Sequence, residues 1–354
     1  MDPNTFQQLQ KGCVIPAHPL VLSADRQIDV RRQKALTRYY LDAGAGGLAV
    51  GVHTTQFALH NPKLGLLQPV LELAAECARE HAEKSRKKPP VMIAGILGTT
   101  PQAVKEAAAA RDLGYHLGLL SLTALAGKSV RELIDHAREV AKVIPIMGFY
   151  LHPAISGMVL TAAFWKEFVA IPELRAIKVA PFDRYRSLDV LEVVAHSGRA
   201  ADIALYTGND DTIITDLLTS YEFRVNGQTV ALKIVGGLLG QWACWTKRAV
   251  EHLEQIRDLQ ARQAPIPAAL LTEGAQLTHA NQAIFDADND FRGCIPGILH
   301  VLKGQGFVTG LRTLDTQECL SPGQARRIDQ LARDYPQLTD NPFVEQNLER
   351  WLSD

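Results

Sequence analysis

No stretch of the 354 residues approaches the roughly 18 consecutive apolar positions needed to cross a bilayer, so no membrane-spanning helix is expected. The amino terminus, MDPNTFQQLQKGC, lacks a basic region followed by an apolar core, which argues against a secretory leader and predicts a cytoplasmic protein. Neither charge sign is in excess. With 37 Lys and Arg against 38 Asp and Glu, the chain has no electrostatic footprint for nucleic acid or an anionic membrane. Its five cysteines (Cys13, Cys77, Cys244, Cys294 and Cys319) are odd in number and include no CxxC pair, so reduced thiols are expected in place of a disulfide framework or thiolate metal site. The eleven histidines include no HExxH. GAGGLA, residues 44–49, matches a dinucleotide-binding glycine pattern only formally: a helix precedes it and a strand follows, the reverse of what that motif needs. GGLLG lacks the lysine and hydroxyl residue of a phosphate-binding loop, and the basic EKSRKKPP reads as a solvated helix end.

What remains is the composition of a globular protein, 47% hydrophobic and 21% charged, long enough for a substantial core. Short apolar runs begin near Val14, Gly47, Val91, His116, Pro145, Leu174, Ile203 and Ile234, at intervals of 25 to 44 residues, about one strand–helix unit each. The intervening segments carry helix boundaries. TTPQAVKEAAAARDLG offers Thr100 as a cap, Pro101 at the first turn and Gly114 at the end, and KSVRELIDHAREVAKVIP places Ser129 three residues before Glu132. Eight such units predict a (β/α)8 barrel over residues 1–250, with an open doubly wound sheet as the alternative. Residues 251–354, punctuated by Pro265, Pro267, Pro296, Pro322 and Pro336, read as a C-terminal helical region.

One residue in this pattern requires explanation. ELRAIKVAP, residues 173–181, sets a lysine inside an apolar strand, where an ammonium ion is costly to desolvate unless it is paired, snorkels out or has chemistry to perform. If Lys178 points into the barrel, Ala176 and Ala180 share its face. In the preceding strand, PIMGFYLHP, Gly148, Tyr150 and His152 share one face and Met147, Phe149 and Leu151 the other. Should the first of these be the interior, Tyr150 would project beside Lys178 at the carboxyl ends of the strands, where barrel active sites lie. A desolvated lysine holds more of its free amine, able to attack a carbonyl, and a phenol can relay protons. The alternative is a lysine reaching a carboxylate at the barrel mouth beside a tyrosine that only packs.

From about residue 12 to 335 the chain resembles the family of dihydrodipicolinate synthase and N-acetylneuraminate lyase, Schiff-base (β/α)8 enzymes. GFYLHPAISG followed by LRAIK carries the likeness most specifically, with the 28-residue tyrosine-to-lysine spacing of that family. The resemblance implies Lys178 as the imine-forming residue and Tyr150 as the proton relay. GVHTTQF resembles the family's carboxylate-binding turn, which implies His53, Thr54 and Thr55 as substrate contacts; Thr55 has a cap of the following turn as its alternative. YTGNDD matches a segment lining the substrate site and implies Gly208 and Asp210, or Asp211, there, with capping of the next helix as the other reading. GILHVLKGQGFVTGLRTLDTQECLSPGQARRIDQL resembles the family's last helices.

The departures shape the expectation. Ile155 stands where the synthases carry an arginine, which removes a bidentate carboxylate partner, and the loops VAPFDR and GGLLGQWACW differ from the usual patterns. The resemblance therefore implies an aldolase-type lyase acting on a pyruvate-like 2-oxo acid or a sugar acid through an imine on Lys178, with no dissociable cofactor and no metal. It further implies a homo-oligomer, a tetramer or dimer. A dehydratase or hydratase using the same imine, and a non-catalytic 2-oxo-acid-binding relative, are the alternatives, together with a metal-dependent barrel aldolase built on His18, His53 and His152.

Overall fold

The computed structural model describes residues 1–86 and 88–353. Lys87, in the basic segment expected to close a helix, lies outside the described residues. The strands are β1 (Val14–Pro16), β2 (Gly47–Val50), β3 (Val91–Ile96), β4 (Leu117–Leu120), β5 (Ile146–Leu151), β6 (Leu174–Ala180), β7 (Ala204–Thr207), β8 (Ser220–Val225) and β9 (Gln228–Leu239). The helices begin with α1 (Pro3–Lys11), α2 (Val30–Ala43), α3 (Leu67–Ser85), α4 (Thr100–Asp112), α5 (Val130–Ala141), α6 (Pro153–Ser156) and α7 (Ala162–Phe168). They continue with α8 (Arg184–His196), α9 (Ile213–Leu218), α10 (Thr246–Ala261), α11 (Ala268–Ile284), α12 (Cys294–Gly304), α13 (Gln324–Asp334) and α14 (Asn341–Leu352).

Eight parallel strands stand in the order β1-β9-β7-β6-β5-β4-β3-β2, and a bridge between Ala17 and Ala49 brings the two ends together into a (β/α)8 barrel. The expected strand starts match these elements closely, because strands covered on both faces read as short continuous apolar runs. Local chemistry sets the helix ends. Ser129 and Glu132 form a reciprocal capping box on α5, Ser129 N–H donating to Glu132 Oε2 at 2.9 Å. Gly44 closes α2 in the left-handed region at φ 102°, so GAGGLA is the turn from that helix into β2. The cap of α4 is Thr99, one residue before the expected Thr100.

The hydrophobic interior has two parts. Ile15, Ile93, Leu119, Met147 and Leu238 fill the barrel, while a larger core lies between strands and helices. Leu9 of α1 plugs the barrel's amino-terminal end, and Tyr206, pointing down the barrel, donates to its carbonyl at 2.7 Å. One element was not expected. β8 pairs antiparallel with the first half of β9, and the hairpin turns through Asn226 (φ 50°) and Gly227 (φ 81°), the paired left-handed conformations that an Asn-Gly step favours. The barrel part of β9 begins only near Ile234, paired with Leu205 of β7.

Beyond the barrel, α11 to α13 pack on one another and α14 packs on α2. Residue 250, the expected end of the barrel region, falls inside α10, which itself packs against α2, α9 and β1. No described helix is long and apolar enough to cross a membrane.

Candidate active site

β6 carries Lys178 into the barrel. Ala176 and Ala180 share its inward face, whereas Ile177 and Val179 join the outer core. The side chain is 7% exposed, its Nζ stands 4.5 Å from the centre of the Phe149 ring, and it donates no hydrogen bond among the described residues. Gly208, just beyond β7, makes room for it: a Cβ there would lie 2.5 Å from Lys178 Cε and 2.6 Å from Ala180 Cβ. Gly208, expected as a residue lining the substrate site, thus also makes space for the lysine side chain.

Asp210 is the buried counter-charge. Its Oδ1 accepts from the Gln241 backbone N–H at 2.9 Å, and its backbone carbonyl accepts from Asn281 Nδ2 at 2.7 Å. Desolvation pushes the carboxyl up to about 7, against the pull of the Gln241 N–H and the Lys178 charge. Desolvation likewise brings the Lys178 amine down to about 8, with Asp210 holding it from falling further. The two titrate as a pair.

His53, Thr54, Lys178, Gly208 and Asp210 all line a small chamber of about 60 Å³ at the carboxyl ends of the strands. His53 opens a single 3-10 turn, His53–Thr55, and its ring meets Phe57 edge-on. Burial, then the Lys178 charge, holds its imidazole down at about 4, and no protein hydrogen bond among the described residues engages its ring nitrogens. Beneath the turn, buried His60 anchors the chain by bonding Gly51 O at 2.7 Å and Glu106 Oε2 at 2.9 Å.

Two expectations and one of the alternatives need correction. Tyr150 does not enter the chamber. Phe149, its chain neighbour, is the β5 residue opposite Lys178, and Tyr150 lies in the outer core with its ring 5.6 Å from that of Trp165. Gly148 confirms the parity, since a Cβ there would meet the Phe168 ring of α7 at 2.7 Å. The second concerns the hydroxyls of the 53–55 turn. Thr55 donates to His18 O at 2.7 Å and accepts from the N–H groups of Gly51 and Val52, so it builds the turn and does not line the chamber. Thr54 does line it, but its proton is committed to Ala17 O at 2.7 Å. The third concerns the histidines. His18 is fully buried away from the chamber, with one ring nitrogen 2.9 Å from Pro19 O and the other 2.9 Å from Thr37 Oγ1, so it does not converge with His53 and His152. Among the described residues no group of three or more His, Cys, Asp or Glu side chains is placed to hold a metal ion.

The chamber also includes residues that the sequence did not single out for a role, together with His152, which it offered only as a metal ligand. Phe149 and Cys294 wall it, and His152, Phe182 and Phe291 close its outer side. VAPFDR stood out as a departure from the family pattern, which was the only signal for Phe182; nothing local marked Phe291. Asn209 accepts from the Phe182 N–H at 2.9 Å and bonds the fully buried Asp216, which in turn pairs with Arg184 and accepts from Thr207 at 2.6 Å. That network fixes the two loops that carry Phe182 and Asp210.

The comparison with known families follows this geometry. Residues 12–278, three quarters of the chain, match the model of the dihydrodipicolinate synthetase family. The chain belongs to that family. Solved structures similar to this family member in fold include dihydrodipicolinate synthase from Aquifex aeolicus, 15% identical with TM-score 0.71 over 93% of this chain and 99% of that one. N-acetylneuraminate lyase from Fusobacterium nucleatum is 15% identical, with TM-score 0.69 over 92% of this chain and 99% of that one. YagE, a prophage protein of the same family from E. coli K12, solved in complex with pyruvate, is 20% identical, with TM-score 0.69 over 92% and 97%. At these identities the likeness shows the fold. No curated protein sequence matches the chain.

Proposed function

We propose that the protein is an aldolase-type lyase that forms an imine between Lys178 and a 2-oxo acid. The observation that carries this reading is the Lys178 amine: buried at the carboxyl end of a barrel strand, free of hydrogen bonds within the described protein, and faced by a buried carboxyl group. A structural lysine would be paired and bonded; this one is left able to react.

The proton inventory supports the chemistry without Tyr150. The neutral amine adds to the C2 carbonyl to give a carbinolamine. Asp210, protonated, gives its proton to the departing hydroxyl, so that water leaves and an iminium–carboxylate pair forms. The Asp210 carboxylate then accepts the C4 hydroxyl proton as the C3–C4 electrons move into the iminium, releasing an aldehyde and leaving an enamine. Protonation at C3 and hydrolysis restore the lysine. His53 offers a neutral ring N–H to the substrate carboxylate, in place of the threonine hydroxyls that are spent on the backbone.

Borohydride reduction in the presence of pyruvate, followed by peptide mass spectrometry, tests the reading. The expected result is a reduced adduct on Lys178, absent in Lys178→Ala. Its rate should follow a bell in pH with limbs near 7 and 8, the values to which burial brings the pair, because the productive state holds one proton between the two groups. Asp210→Asn should slow trapping by about 10²–10⁴-fold, the usual worth of a positioned proton carrier. Failure of pyruvate and longer 2-oxo acids to label Lys178 would overturn the proposal.

A further inference from the structure

Resting on that reading, we infer that the substrate carries an apolar, ring-sized group directly beyond its 2-oxo acid head, and that His152, Phe182 and Phe291 form the girdle through which this group passes. The chamber around Lys178, at about 60 Å³, has room for only a few water molecules. Outside it lies a vestibule of about 530 Å³, and the two cavities share a wall in which these three rings take part. Each ring touches the other two, with centroids 5.4 Å apart for His152–Phe182, 5.2 Å for His152–Phe291 and 5.7 Å for Phe182–Phe291. A substrate that reaches from the chamber into the vestibule lies among them.

What it meets there is largely apolar. Phe149, Leu151, Ile155 and Phe285 extend the lining; of the polar groups on the chamber side, the Thr54 hydroxyl donates to Ala17, and His53, Lys178 and Asp210 are the groups that the reading above gives to the 2-oxo acid head. A chain of hydroxyls beyond that head would lose its water without finding partners. An aryl group would gain ring contacts instead. The vestibule adds the polar side chains of Asp211, Thr278 and Gln282.

The girdle is also held in place at a cost. Phe182 and Phe291 both sit in the left-handed region, at φ 53° and 63°, a conformation that bulky residues rarely adopt. Buried polar anchors maintain each one. The Phe182 N–H is taken by Asn209, and the Phe291 N–H by the carbonyl of Asp286, whose carboxylate accepts from Gly293 and Ser321. The loops carry this strain while presenting rings at the wall that the chamber and the vestibule share.

The test has two arms. In condensation with pyruvate, benzaldehyde should be used at least tenfold more efficiently, as kcat/KM, than glyceraldehyde, and Phe291→Ala should erode that preference at least tenfold. Phe182→Leu serves should the first variant fail to fold. Equal or better use of glyceraldehyde, or a preference untouched by the girdle variants, would overturn the inference. The second arm needs no imine. Calorimetry on Lys178→Ala should show 4-phenyl-2-oxobutanoate binding at least tenfold more tightly than 2-oxo-3-deoxygluconate, and a reversed or absent preference would sink the inference. If pyruvate does not label Lys178, the lyase reading falls alone, and the binding arm still decides the substrate class.

Discussion

At the scale of the residue, the proposed site sets stability against reactivity. Asp210 is raised from 3.8 to about 7, so the folded protein holds a proton that the unfolded chain sheds: relative stability falls as pH rises between these values and stays low above them. Lys178 is lowered from 10.5 to about 8, so its cost to the fold is full below about 8 and fades between there and 10.5. The two penalties overlap near pH 7 to 8. Replacing both groups with uncharged residues of similar shape, Lys178→Met with Asp210→Asn, should therefore stabilise the fold by about 1–4 kcal/mol, as replacing buried ion pairs often does. The gain should be greatest near pH 7.5 and shrink toward pH 4 and pH 10, measured as urea midpoints across pH. A double variant less stable than the parent at pH 7.5 would mean that the pair contributes net stability. The lysine was legible in the sequence because an ammonium in an apolar strand breaks the pattern around it. Asp210 was legible as a position, but its partnership with the lysine joins a strand to a loop 32 residues further on (210 − 178).

At the scale of the element, register decides which side chains meet. The alternation along β5 was read correctly from the sequence, and the choice of its inward face was not. Between β5 and β6 the pairing steps from Ile146–Leu174 to Met147–Ala176, so Arg175 is passed over and Phe149, not Tyr150, comes opposite Lys178. Because side chains alternate with period two, one such irregularity exchanges the faces, and a 28-residue spacing cannot reveal it. The β8–β9 hairpin escapes the same reading for a different reason: its Asn-Gly turn is in plain view, but β8 is largely exposed and lacks the continuous apolar run of a strand covered on both faces. Gly208 shows how closely strand ends are fitted. Gly208→Ala should displace Lys178 Cε, which is free to move, and press on Ala180, which is not. The expected outcome is loss of borohydride trapping by about 100-fold, as for an ångström-scale misplacement of a reacting group, with stability reduced by only about 1–3 kcal/mol. Trapping at the parental rate would show that the lysine reaches its substrate by another path.

At the scale of the whole molecule, the question is whether the helices after the barrel are an appendage or part of the same core. Their aromatic anchors favour a single cooperative unit. Trp351 of α14 is fully buried, with its ring 5.8 Å from Phe307 and 5.4 Å from Tyr39 of α2, and its Nε1 donates to Asp42 at 2.7 Å. The Tyr39 hydroxyl donates to Asp340 at 2.6 Å and accepts from the Thr246 N–H at 2.8 Å, which ties α2, α10 and the start of α14 at one buried point. The same connected core includes Leu36 in α2, Ile256 in α10, Leu299 in α12 and Leu331 in α13, with no break at the end of the barrel. Local unfolding of one region would therefore expose apolar surface on the other. Trp351→Ala should cost about 3–5 kcal/mol, the range for removing a large aromatic from a packed interior. The variant should still unfold in one calorimetric transition, shifted to lower temperature, with loss of structure in the barrel and in the terminal helices coinciding. If an early transition instead releases residues 268–352 while the barrel stays folded and Lys178 can still be trapped with pyruvate, the terminal helices are a separate unit that the barrel does not need.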